Sequence, residues 1–153
     1  MSQGRIRVLL TVLFFIGIIF SLFPNSYAAS TKEEYELQER CSKRTEDLFK
    51  KEYGNYIVSN EAGTTTSNYT NHYNRKLNKC FILVTQTHIP KDKETREKLG
   101  VSIEKTLVDI NENKLYGHFF KFSNGGLTVC KVLGKHCSSD NEWNALVMPY
   151  MEE

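Results

Sequence analysis

The sequence predicts an α+β fold: an N-terminal helix, a four- to five-stranded antiparallel sheet and a short C-terminal helix. Three observations lead there. A helix-periodic segment with its own start and stop signals comes early in the chain. Short β-rich segments separated by Asn- and Gly-containing turns follow it. A second capping signal, with apolar residues at helical spacing, closes the sequence.

The first element is not part of that fold. Arg5 and Arg7 precede an uncharged run, Val8 to Phe23, which Pro24 and Asn25 break. Small residues then sit at the −3 and −1 positions of a cut after Ala28. Positive, apolar and small-residue regions in that order form a secretory signal over residues 1–28. The run of 16 residues reaches about 24 Å as a helix, short of a ~30 Å hydrocarbon core. An uncleaved anchor is the rival reading. Residues 29–153 are then expected to form one α+β domain, secreted or periplasmic and off the membrane once the signal is cut.

Within it, Thr31-Lys-Glu-Glu34 reads as a capping box opening a helix that ends at Tyr53, where Gly54 supplies a left-handed stop. Leu37, Cys41 and Leu48 share one face, so Cys41 points at the core. Tyr56 to Val58 reads as a short strand, and Ser59 to Asn68, rich in Thr, Ser, Asn and Gly, as a loop. Tyr69 to Asn74 alternates polar and aromatic residues, and Asn74 to Asn78 is turn chemistry. Cys80 to His88 is the strongest strand, apolar on both faces at its start, and Pro90 ends it. Lys91 to Gly100 is a charged loop or short surface helix. Ser102–Ile110 and Lys114–Phe122 form a hairpin through Asn111-Glu-Asn-Lys114, and Leu127 to Val132 is one more strand. Ser139-Asp-Asn-Glu142 caps the last helix; Trp143, Leu146 and Val147 mark its core face, and Pro149 is expected to kink or end it.

Charge excludes one class of partner. The whole chain carries 20 basic and 18 acidic residues, and both surplus arginines lie in the signal, so residues 29–153 are neutral overall. Bulk charge therefore argues for no nucleic acid.

Cys41, Cys80, Cys130 and Cys137 are the only cysteines, an even number in an exported small domain. Of three possible connectivities, a tight turn near Gly134 favours Cys130–Cys137, which leaves Cys41–Cys80. No C-x-x-C spacing is present, and no metal and no cofactor are indicated. Signatures of the common nucleophile-elbow, phosphate-loop and zinc-protease enzymes are missing.

The densest polar cluster is Asn71, His72, Tyr73, Asn74 and Arg75, followed by Lys76. It joins a proton carrier, an aromatic ring, amides and cations, and so offers a binding surface. As a catalyst His72 would need an orienting carboxylate, with Asp109 or Glu112 the candidates. The plainer reading is a half-exposed strand. His118 reads as a strand-surface histidine, His88 and His136 are assigned nothing, and Trp143 reads as core.

His72-Tyr-Asn-Arg-Lys-Leu-Asn-Lys-Cys80, Asp109-Ile-Asn-Glu-Asn-Lys-Leu-Tyr116 and Cys137…Glu142-Trp143…Pro149-Tyr-Met151 together resemble small exported bacterial proteins with no assigned activity. The resemblance implies an envelope or secreted location and carries over no catalytic residue. The expected function is an exported, disulfide-stabilised binding module for an envelope protein or glycan. The alternatives are a small secreted hydrolase using His72 and a structural envelope protein.

Overall fold

The computed structural model describes residues 26–152, with side chains described from Thr31 onward. The expected signal segment up to Asn25 lies outside the described residues. Helix α1 spans Ser26–Tyr53. It is already under way at Thr31, so the capping box expected there does not start it. Ala28 and Ala29, of the residue type with the highest helix propensity, let the helix begin earlier. Two compact units divide the chain after Glu36. In the first, Lys32 and Glu36 pair along the helix at 4.0 Å and Tyr35 is exposed.

In the second unit, seven strands lie side by side in chain order, each antiparallel to the next. They are β1 (Ile57–Ser59), β2 (Gly63–Asn74), β3 (Lys79–Pro90), β4 (Ser102–Asp109), β5 (Lys114–Phe122), β6 (Gly126–Val132) and β7 (Lys135–His136). Helix α2 (Lys93–Leu99) joins β3 to β4, and helix α3 (Asp140–Met151) ends the fold. The α+β class stands, with more strands than the four or five expected. The three-residue β1 lies where a short strand was expected over Tyr56–Val58, and β7, with two residues, is too short to show a period.

The loop expected over Ser59–Asn68 is corrected for its second half, because β2 begins at Gly63. Thr64 to Thr66 are β-branched and suit a pleated strand. Cross-strand polar bonds replace apolar packing there: Ser59 Oγ with Thr64 Oγ1 at 3.0 Å, Thr65 Oγ1 with His88 Nδ1 at 3.0 Å, and Gln86 Nε2 donating to Ser67 Oγ at 3.1 Å. Lys91–Gly100 takes its helical option. Asp92 accepts from Thr95 N at the start of α2, and Gly100 (φ +74°) follows its end.

Register divides the β2–β4 side chains between two faces. Tyr69, Tyr73, Cys80, Ile82, Val84 and Val108 meet the Leu37–Tyr53 part of α1, where Phe49 is fully buried and packs at a tilt against Tyr69 with ring centroids 4.5 Å apart. Phe81 and Leu107, with Phe119 of β5 and Val132 of β6, meet Trp143 and Val147 of α3. A helix on each face explains why the start of β3 is apolar on both sides. Trp143 is 0% exposed, and Gly117 makes room for it: a Cβ there would lie 2.9 Å from the indole Cη2.

The cap of α3 forms as read. Ser139 Oγ accepts from Glu142 N at 3.2 Å, while the Glu142 carboxylate reaches back to Ser138 N at 2.8 Å. Pro149 does not end this helix, which continues to Met151, with Glu152 N donating to Met148 O at 2.9 Å. Proline removes one N–H, and with barely a turn remaining the final bonds still close.

Both disulfides have the expected pairing. Cys41–Cys80 ties α1 to β3 with Cα atoms 5.5 Å apart, and Cys130–Cys137 ties β6 to the residue after β7 at 5.0 Å. The second closes a hairpin whose two turn residues, Leu133 (φ +46°) and Gly134 (φ +80°), both have positive φ. That geometry matches the twist of the flanking strands. No cysteine is free. This pairing fits an oxidising, extracytoplasmic environment. No described helix is long and apolar enough to cross a membrane.

Candidate functional site

The five-residue polar cluster is contiguous in sequence, but strand alternation separates it in space. Asn71 and Tyr73 turn toward α1, His72 and Asn74 toward α3, and Arg75 lies in the β2–β3 turn. Asn74 is buried: its amide nitrogen donates to Pro149 O at 3.0 Å, and its carbonyl accepts from Leu77 N at 3.0 Å. Those bonds fasten the C-terminal turn of α3 to the β2–β3 turn, a task of the fold.

His72 Nε2 is buried with no hydrogen-bond partner among the described residues. Phe81 stands opposite it on β3, and Asp109 opposite Phe81 on β4, so a full strand separates imidazole from carboxylate. Asp109 is committed elsewhere. Its carboxylate accepts from Lys79 Nζ at 2.5 Å and from Asn111 N at 2.9 Å. Glu112 also binds Lys79, at 2.6 Å. Hydrogen bonds donated to Asp109, then to Glu112, hold the Lys79 ammonium well above the usual lysine range. His118, on the α1-facing side of β5, does meet a carboxylate: its Nε2 lies 2.8 Å from Glu104 Oε1. Among the described residues no three His, Cys, Asp or Glu side chains gather as a metal site.

Tyr73 leads to a concave arrangement. Its backbone N–H donates to Gln38 Oε1 at 2.9 Å, and its hydroxyl donates to Asn78 Oδ1 at 2.7 Å. It thereby lines a cleft of about 150 Å³ between α1 and the ends of the β2–β3 and β4–β5 turns. The Cys41–Cys80 disulfide forms part of its lining, together with Leu37, Arg40, Arg44, Asn78 and Asn111. Arg40 precedes Cys41 and Arg44 follows it by three positions, so the bridge sets where both arginines stand. Arg44 Nη1 reaches across to Asn111 Oδ1 at 2.6 Å. No carboxylate is in the lining.

Four residues of this cleft, Arg40, Arg44, Asn78 and Asn111, were absent from the sequence-derived cluster. A signal for the arginines exists: they are spaced i, i+4 on a helix whose Cys41 was expected to bridge to a strand. Asn78 (φ +52°) carried only a turn signal, which accounts for its backbone and not for its side chain. Compared with protein-family models, curated proteins and solved structures, the chain matches none of them.

Proposed function

We propose that the protein is an extracytoplasmic, disulfide-stabilised binding module, secreted or periplasmic, which engages an envelope protein or glycan through the cleft on Cys41–Cys80. The reading extends the likeness to small exported bacterial proteins. One observation carries it: the disulfide lines the cleft itself. Oxidation thus joins the helix bearing Arg40 and Arg44 to the strand behind Tyr73, and preorganises the contact surface. A site built this way is complete only where thiols are oxidised.

The test is capture of bacterial envelope material on the immobilised, oxidised chain, with Cys41→Ala/Cys80→Ala and Arg44→Gln alongside. Capture by the parent and its loss in both variants is the expected result. Equal capture of the same material by all three would remove the cleft as the contact site.

A further inference from the structure

We infer that the cleft receives an oxyanion: a carboxylate, sulfate or phosphate group carried by the ligand. This rests on reading the cleft as the binding site and adds the chemistry of what enters it.

The argument is one of unused hydrogen-bonding capacity. A guanidinium only donates. The bond from Arg44 Nη1 therefore occupies the carbonyl of Asn111 and leaves its amide NH2 still to be matched. The Tyr73 hydroxyl does the same to Asn78, whose Oδ1 it engages. Both amides of the cleft thus keep donors to offer. Arg44 keeps N–H groups beyond the one spent on Asn111.

Charge points the same way. Arg44 brings a permanent positive charge to the cleft lining. No carboxylate lines the cleft, and Asp109 and Glu112 both bind Lys79. The disulfide, Leu37 and the Tyr73 ring give the same cleft apolar surface. Such surroundings strengthen a charge-assisted hydrogen bond relative to water. Arginine forks match carboxylate and phosphate oxygens in pairs, which favours an oxyanion over a halide.

The experiment is a titration of the oxidised, isotope-labelled chain with sodium sulfate, sodium phosphate and sodium acetate. Sodium chloride holds the ionic strength constant. The readout is the side-chain NH2 resonances of Asn78 and Asn111. At least one oxyanion is expected to give saturable shifts at both, and the three salts rank tetrahedral against planar groups. Arg44→Gln is expected to weaken that binding by about tenfold or more, the scale of one lost charge-assisted bond. Lys51→Gln makes the same charge change at an exposed position outside the cleft and is expected to titrate like the parent. Non-saturating shifts, or an Arg44→Gln chain titrating like the parent, would overturn the inference. The two readings fail separately. Envelope capture that needs the Cys41–Cys80 bridge but ignores competing oxyanion ends the inference and leaves the module standing. Capture that ignores the bridge ends the reading of the cleft.

Discussion

Replacing Cys41 and Cys80 together by alanine is expected to cost more stability than the same replacement at Cys130 and Cys137. The two bridges close very different lengths of chain, with sequence separations of 39 and 7. A crosslink restricts the unfolded ensemble in proportion to the logarithm of the loop it closes. The loss comes to about 4 kcal/mol for the long loop and about 2.5 kcal/mol for the short one. The loops do not overlap in sequence, so the double removal should approach the sum, about 6.5 kcal/mol. That is comparable with the whole stability of an ordinary domain. Equilibrium unfolding in guanidinium chloride of the parent, the two alanine pairs and the four-alanine chain measures all three quantities. Equal costs for the two pairs, or a greater cost for Cys130/Cys137, would refute loop-closure entropy as the main contribution of these bridges.

Three further outcomes follow from packing and charge. Gly117→Ala should destabilise by about 1–3 kcal/mol through overpacking against Trp143 and Val132. The penalty should shrink in a Trp143→Phe background, which a double-mutant cycle on melting curves checks. Asn74→Ala should cost about 1–3 kcal/mol by stranding Pro149 O and Leu77 N. Oxyanion binding at the cleft should not change in that variant, which separates the buried amide from the site by titration. Hydrogen bonding from Lys121, against an opposing effect of burial, holds the Asp140 carboxyl below its usual range. The folded protein then binds fewer protons than the unfolded one around pH ~4, so this contribution is present above that pH and is lost as pH falls through the depressed folded value. Lys121→Gln should flatten the acid limb of a stability–pH profile relative to the parent.

How much of this was legible varied with the physics of each segment. The start of β3 was plain because helices cover both of its faces, so Cys80 to Val84 had to be apolar throughout. Both disulfide partners were legible, since Gly134 marked a hairpin and Cys41 lay on the apolar face of a helix. The first half of β2 was not. Thr64, Thr65 and Ser67 make cross-strand polar bonds, a pattern that in sequence looks like a loop. The binding cluster shows a different limit. Five adjacent polar residues form one surface only if they lie in a loop; on a strand, His72 and Asn74 go to one side and Asn71 and Tyr73 to the other. The cleft that Tyr73 lines draws its remaining side chains from α1, from Cys80 of β3 and from two turns. Only the fold brings Arg44 and Asn111, 67 positions apart, within 2.6 Å.

The order of the strands has a consequence for how the molecule is made. Each strand neighbours the one before it in the chain, and the four cysteines bond as consecutive pairs, first with second and third with fourth. A polypeptide delivered N-terminus first into an oxidising space therefore finds every strand's partner already outside. The second thiol to emerge meets the correct first one, and the fourth meets the third. Pairing by order of arrival would then give the native bridges without reshuffling.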